Sequence, residues 1–224
     1  ATEEYNGTTW SNGGSLITAR YSLTAAGAST NAAVVFGGYV APNTSAVTEE
    51  YNGSSWATGG SLINARNLSG GAGILNAALA YGGYGLSPGP MLAVTEKYDG
   101  TSWSADAAMI TARNAMAGTG TTQGNAMAIG GQSPSTVALT ESTATRCTLT
   151  YKCSLPAIQA WTAGGNLNTA RRRIRGTGVA ASQTAALGFG GYIPPAKTQA
   201  TEEYDGSSWA NGGSLITANS SQGG

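Results

Sequence analysis

The sequence predicts an all-β protein, a β-propeller built from repeated four-stranded blades. One stretch, TEEYNGSSWATGGSL from Thr48 to Leu62, is repeated with small changes from Thr2, Thr95 and Thr201. The five tryptophans lie in phase with it at spacings of 46, 47, 58 and 48 residues, so the period is close to 47 residues and one copy carries an insertion. Four segments of strand length in each period, with no helical periodicity, are typical of a propeller blade.

Each strand of the unit has its own sequence signature. The first follows an arginine and is rich in small residues, as in ARYSLTAAG, which indicates innermost strands that approach one another closely around an axis. The second is a short apolar run that ends at a glycine pair, as in NAAVVFGG. The third and fourth flank an Asn-Gly or Asp-Gly turn between Glu-x-Tyr and Trp, which predicts a β-hairpin.

We expect one domain spanning residues 1–224. Its parts are half a blade at 1–16, full repeats at 17–62, 63–109, 110–167 and 168–216, and a closing segment at 217–224. Counting strands favours a five-bladed ring whose last blade is shared between the two ends of the chain, because that arrangement leaves the fewest open sheet edges. The alternative is a segment of a longer array, since the sequence begins without methionine in the middle of a unit.

The composition argues against several classes of function. Charged residues make up 10% of the chain and sum to a net charge of zero, so we expect no binding to nucleic acid. No apolar run approaches the ~18 residues that a membrane helix needs, so we expect no membrane insertion. The chain has no histidine, which removes Ser-His-Asp catalysis and histidine-ligated metals, and we expect no cofactor and no metal site.

The order of residues in each unit, which is arginine, glycine pair, Tyr-Asn or Tyr-Asp, and then tryptophan, resembles that of kelch repeats over nearly the whole chain. The motif TEEYNGSSW, together with the alanine- and glycine-rich inner strands, also resembles kelch-like arrays in structural proteins of bacteriophages. The kelch resemblance implies a ring of four-stranded blades. It also implies that the loops between the second and third strands, together with those between blades, form one binding face.

Those loops are the variable part of the repeat. The segment after each glycine pair differs in every copy, and six of the seven prolines lie there, which is typical of recognition loops on a constant frame. The predicted binding residues on this face are Tyr39, Asn43, Tyr84, Gln132 and Tyr192. The tyrosines are the best anchors, because each offers a rigid apolar ring with one hydroxyl group.

The third full unit departs from the pattern. Between Glu141 and Trp161 lie nineteen residues where other copies have six, so we expect a longer excursion on the face opposite the loops. It contains Cys147 and Cys153, for which we predict a disulfide if the protein works outside the cell and two free thiols otherwise.

The same unit begins the chain's basic cluster, and its members are Arg146, Lys152, Arg171, Arg172, Arg173 and Arg175. This patch would contact an acidic neighbour in an assembly. The alternative is a solvated strand edge that blocks aggregation.

Some residues recur in every unit, and these we interpret as structural. The repeated glutamates could suggest glycosidase chemistry, but an active site needs one asymmetric constellation rather than a copy in each blade. We therefore expect Glu49 to pair with Arg66 or Arg20, and the equivalent pair to recur. Trp56 and its equivalents we expect in the core between blades rather than on a sugar-binding platform.

The sequence thus favours a noncatalytic β-propeller of a virion or extracellular surface. Its predicted partners are structural proteins of an assembly or surface glycans, and we expect it to assemble with copies of itself or with neighbours. The alternatives are a secreted lectin and a sialidase-like glycoside hydrolase. The hydrolase would require an arginine triad beside a Tyr/Glu pair on one face.

Overall fold

The computed structural model describes residues 2–86, 89–146, 158–178 and 185–220, and the regular secondary structure of this part of the chain is β-strand apart from one 3-10 turn. The described residues begin with a two-stranded hairpin, β1 (Glu3–Tyr5) and β2 (Trp10–Asn12). Blade 1 contains β3 (Thr24–Ser29), β4 (Ala32–Phe36), β5 (Tyr39–Val40), β6 (Asn43–Thr44), β7 (Thr48–Tyr51) and β8 (Trp56–Thr58). Blade 2 contains β9 (Gly70–Ile74), β10 (Ala77–Tyr81), β11 (Thr95–Tyr98) and β12 (Trp103–Asp106).

Blade 3 contains β13 (Ala117–Thr119), a 3-10 turn (Gln123–Asn125), β14 (Met127–Ile129), β15 (Gln132–Ser133), β16 (Ser135–Thr136), β17 (Thr140–Arg146) and β18 (Ile158–Ala163). Blade 4 contains β19 (Arg175–Gly178), β20 (Ala186–Phe189), β21 (Tyr192–Ile193), β22 (Ala196–Lys197), β23 (Thr201–Tyr204) and β24 (Trp209–Asn211). Among the described residues, no helix has the length and apolar character required to cross a membrane.

Each blade is a four-stranded antiparallel sheet, with strands in the orders β3-β4-β7-β8, β9-β10-β11-β12, β13-β14-β17-β18 and β19-β20-β23-β24. The first strands of successive blades pack against one another, β3 on β9, β9 on β13 and β13 on β19. The prediction of an all-β propeller is therefore confirmed, and the arrangement has four blades.

The innermost strands line a central cavity of about 620 Å³. The described residues that line it are glycine, alanine, serine and threonine. The small residues are needed for close approach: a Cβ atom built on Gly118 would lie 2.5 Å from the backbone nitrogen of Gly71 on the neighbouring blade. The small-residue segments of the sequence are thus the strands nearest the axis.

The five-bladed ring is not confirmed. The hairpin β1–β2 occupies the place of the outer two strands of a blade that would precede blade 1, and the described residues supply no inner strands for it. Residues near the other end continue the repeat only as far as Asn219, which forms an isolated bridge with Thr198 on blade 4. Trp10 is 68% exposed and a Cβ atom on Gly213 would meet nothing within 4 Å, so the hairpin and the fourth strand of blade 4 do not pack together.

The core lies between the blades. An aromatic or aliphatic residue at the end of each second strand packs on the tryptophan of the next blade: Phe36 lies 4.9 Å from Trp103 between ring centroids, and Tyr81 lies 4.9 Å from Trp161. Ile129 shares a cluster with Trp209 in the same way. Each blade therefore completes its core only with a neighbour in place.

The insertion lengthens one hairpin. Strands β17 and β18 remain paired as far as Arg146 and Ile158, well beyond the equivalent hairpins of the other blades. The predicted cysteine pair, Cys147 and Cys153, lies outside the described residues, as does Lys152.

Candidate functional site

The repeated glutamates form the buried frame of each blade. Glu49 accepts backbone hydrogen bonds from Ile17 at 2.7 Å and Thr18 at 3.2 Å, and the Nη1 atom of Arg20 donates to it at 2.7 Å. Glu49 thus pairs with Arg20, the partner from its own blade and the more distant in sequence of the two that were predicted. The other three blades repeat the arrangement, with Arg66 on Glu96, Arg113 on Glu141 and Arg171 on Glu202.

These ion pairs are buried, so their role is to stabilise the blade. Burial lowers the pKa of Arg66, Arg113 and Arg171, while the adjacent carboxylates oppose the shift. Arg66 also donates to the carbonyl oxygens of Gly82 at 3.0 Å and Val94 at 2.8 Å. The carboxylates are occupied by arginine and backbone donors, so they hold the segment before each first strand against the third strand of the same blade.

The tryptophans connect successive blades. Trp103 donates from Nε1 to the hydroxyl oxygen of Thr48 on the previous blade at 2.9 Å. Trp56 makes the same bond to Thr2 of the hairpin at 2.9 Å. A tyrosine on the neighbouring strand adds a second connection, because Tyr98, paired with Trp103, donates to Glu50 at 2.5 Å. Burial together with this bond raises the pKa of Tyr98 to about 12.

The variable loops share one backbone frame. In each blade the residue after the buried arginine pairs through two backbone hydrogen bonds with the residue after the glycine pair. For Tyr21 and Tyr39 these bonds are 3.2 and 2.7 Å, and for Arg172 and Tyr192 they are 3.1 and 2.7 Å. We call the four sets the loop-face pairs: Tyr21–Tyr39, Asn67–Tyr84, Asn114–Gln132 and Arg172–Tyr192.

The side chains of the loop-face pairs differ from blade to blade. In blade 1 the rings of Tyr21 and Tyr39 lie 5.2 Å apart, and the Tyr39 hydroxyl donates to the carbonyl oxygen of Pro42 at 2.9 Å. The nearby Asn43 is exposed. In blade 4 the Arg172 guanidinium lies 5.2 Å from the centre of the Tyr192 ring.

One contact joins two loop-face pairs. Arg172 Nη1 donates to Gln132 Oε1 at 2.6 Å, so the loops of blades 3 and 4 are held together. The predicted residues Tyr39, Tyr84, Gln132 and Tyr192 all belong to this face, but they are half-buried rather than freely exposed.

Sequence reasoning missed the partner half of each pair. Tyr21 is 44% exposed and lies beside Tyr39, yet the sequence-based interpretation gave it no role. The available signal was positional, because Tyr21, Asn67, Asn114 and Arg172 each follow a repeated arginine and are all of varied type. A position that varies between repeats, directly after one that does not, indicates a side chain that the packing of the blade does not require.

The structure does not gather the described arginines of the basic cluster into a patch. Arg171 is fully buried against Glu202, and Arg172 belongs to the loop face. Arg173 has a positive φ of 54° and its backbone nitrogen donates to Ala115 on blade 3 at 2.6 Å. Arg175 is exposed on β19, whereas for Arg146 only the backbone is described.

The hairpin turns have no need of a metal ion. The Asp205 carboxylate accepts backbone hydrogen bonds from Ser208 and Ser207, each at 2.8 Å, and these bonds lower its pKa to about 2. Asn52 makes the same bonds in blade 1 without a charge. Among the described residues no group of three or more acidic or cysteine side chains could hold a metal ion.

Comparison with known proteins identifies the architecture. No family model matches the chain, and no curated protein matches it either. Among solved structures 164 chains are similar. One of them, titled "Structure of YjhT", is 11% identical, with a TM-score of 0.75 over 97% of this chain and 77% of that one. At this identity the likeness shows the fold alone, and the chain is a β-propeller.

Proposed function

We propose that the protein is a binding module that recognises its ligand through the loop-face pairs without turning it over. The observation that carries this proposal is the contrast between frame and side chains. The same two backbone hydrogen bonds recur in all four blades, but the side chains of the bonded residues differ. They are two tyrosines in blade 1, an amide and a tyrosine in blade 2, two amides in blade 3, and an arginine and a tyrosine in blade 4. Residues that stabilise the blade, such as Arg20 and Glu49, are repeated in every unit. The side chains of the loop-face pairs vary instead, and this variation is typical of recognition.

The chemistry of the pairs favours a glycan. Tyrosine rings stack on the apolar faces of sugars, and amide side chains donate to and accept from hydroxyl groups. Asn67 with Tyr84 and Asn114 with Gln132 supply both kinds of group on one face. A protein partner is the alternative, because tyrosine and arginine are also the residues that anchor protein interfaces.

A location in a virion or on another extracellular surface is part of the proposal. It is supported by the motif TEEYNGSSW, which resembles kelch-like arrays of bacteriophage structural proteins. A secreted lectin would use the same face, so the native source distinguishes the two. The hydrolase alternative gains no support, because Arg66, Arg113 and Arg171 are buried and each is paired within its own blade.

The test is a glycan array probed with three proteins. The wild type should bind, and the triple variant Y39A/Y84A/Y192A should lose at least about tenfold in affinity, as expected when anchor residues are truncated. Lys97→Ala, at an exposed position on β11, is the matched control and should bind as the wild type does. A pull-down from the native source with the same three proteins tests for a protein partner.

Two results would contradict the proposal. Unchanged binding by the triple variant would move the site away from the loop face. Hydrolysis of any glycoside by the purified protein would show that the site is catalytic.

A further inference from the structure

The hairpin β1–β2 exposes a surface that is buried in blades 2, 3 and 4 and half-buried in blade 1, where the hairpin itself covers it. Trp103 and Trp209 are 7% and 5% exposed because the previous blade covers them, whereas Trp10 is 68% exposed. Tyr5, the equivalent of Tyr98, is 45% exposed and donates only to its own turn at Gly7. We call the surface formed by Tyr5, Thr8 and Trp10 the head face.

Blade 4 exposes the complementary surface. In blades 1 and 3 the second glycine after the fourth strand touches the turn of the next blade: a Cβ atom on Gly60 would lie 2.2 Å from Thr101 O, and one on Gly165 would lie 2.2 Å from Ser207 O. A Cβ atom on Gly213 would meet nothing within 4 Å. We call the side of blade 4 that carries Phe189, Thr201, Glu203 and Gly213 the tail face. Glu203 and Gly213 are exposed and Phe189 is half-buried, whereas Thr201 is buried and its hydroxyl donates to the carbonyl oxygen of Gly213.

The two faces carry the groups that join blades inside the chain. Trp209 donates to Thr140 at 3.1 Å and to the carbonyl of Gly165 at 3.0 Å, and Thr201 and Gly213 are the residues that would accept from Trp10 in the same way. Tyr98 donates to Glu50, and Glu203 is the equivalent acceptor for Tyr5. Phe189 takes the position from which Phe36 packs on Trp103.

We propose that the head face of one copy binds the tail face of a second copy, reproducing the interface between blades. A second copy is the occupant because each copy offers both halves and its own two faces do not meet, as the exposure of Trp10 and the open space at Gly213 indicate. The contact is head-to-tail, so repetition produces rings or filaments rather than closed dimers. Thr8 would lie against Gly213, as Ser54 lies against Gly14.

Two single-face variants test the proposal. Trp10→Ala removes the head anchor from an exposed position, and Gly213→Val adds bulk to the tail face at a site with no neighbours and no positive φ. Matched near-ultraviolet circular dichroism and urea midpoints would establish that both variants fold as the wild type does. Analytical ultracentrifugation over a range of concentrations then measures mass.

We expect the wild-type mass to rise with concentration and each variant alone to associate at least about tenfold more weakly. An equimolar mixture should form a heterodimer and nothing larger, because only the tail of W10A and the head of G213V remain intact.

Three outcomes would overturn the proposal. The wild type could stay monomeric with Trp10 accessible to a fluorescence quencher, which would leave both faces unused. It could stay monomeric with Trp10 protected, which would show closure within one copy. Finally, the wild type could associate while the mixture does not, which would place the contact elsewhere.

Discussion

The Nη1 atom of Arg20 lies 2.7 Å from Oε1 of Glu49, and both side chains are almost completely removed from solvent. Glu49 lies on the third strand of blade 1, whereas Arg20 lies in the segment that leads into the first strand. The pair therefore fixes the entry of the chain into the blade. The loop-face pair begins at the next residue, Tyr21, so the same contact also positions the proposed binding surface.

Removing one member of such a pair should be costly. We expect Glu96→Gln to reduce the free energy of unfolding by about 3–5 kcal/mol, because Arg66 would be left buried without a counter-charge. Urea denaturation followed by circular dichroism measures the change. Lys97→Gln, at an exposed position on the same strand, β11, should change stability by less than about 0.5 kcal/mol. A loss below about 1 kcal/mol for Glu96→Gln would contradict the structural role given to the pair.

The bonds between tryptophan and threonine should differ in strength between blades. Thr48→Val leaves the buried indole N–H of Trp103 without its threonine acceptor and should cost about 1–3 kcal/mol. Thr140→Val should cost less, because Trp209 retains the carbonyl of Gly165 at 3.0 Å. Urea midpoints of the two variants make the comparison. Equal losses would show that the carbonyl bond does not compensate.

The turn at Asp205 should make stability depend on acid. Its pKa falls from 3.8 to about 2 on folding, so the contribution is complete above pH 4 and is lost as pH decreases through the range from about 4 to 2. Asp205→Asn keeps the acceptor, as Asn52 does in blade 1, but does not titrate. The difference in unfolding midpoint between wild type and variant should therefore shrink or reverse below pH 3. A difference that stays constant with pH would refute the assignment.

Replacing an alanine that has a positive φ with glycine should not reduce the free energy of unfolding, unlike most alanine-to-glycine substitutions. Ala115 has a positive φ of 52°, a region that costs an L-residue about 1 kcal/mol, so Ala115→Gly should be neutral or stabilising by up to about 1 kcal/mol. Ala80, fully buried on β10, is the matched control, and Ala80→Gly should destabilise by about 1 kcal/mol or more. Thermal unfolding of both variants checks the prediction. Similar losses at the two positions would argue that Ala115 carries no strain.

Much of the fold could be predicted because residues with a structural role recur at the same position in each repeat. The phase of Glu49 and Arg66 predicted a buried frame, and both residues are buried, whereas Trp56 is only half-buried. The small residues predicted strands close to an axis. Blade number could not be predicted, because strand counting does not reveal whether the hairpin β1–β2 packs against blade 4. That depends on the angle between blades, which no single unit of sequence specifies.

The candidate site could be predicted only in part. The loops were visible as variable segments, so Tyr39 and Tyr192 were identified. Arg172 was assigned instead to a basic patch, because adjacency in sequence suggested that Arg171 and Arg172 act together. The segment that leads into β19 places Arg171 in the core and Arg172 on the loop face, and only the position within the repeat distinguishes them.

The glycines of the innermost strands also govern the curvature of the array. A Cβ atom on Gly118 would lie 2.5 Å from the backbone nitrogen of Gly71, so two neighbouring blades touch there with no side chain between them. Larger residues at these positions would push the inner edges apart while the tryptophans still set the outer spacing. The angle between blades would then fall, and a full turn would require more of them. The curvature of the array is thus set where the blades lie closest together, by residues that have no side chains.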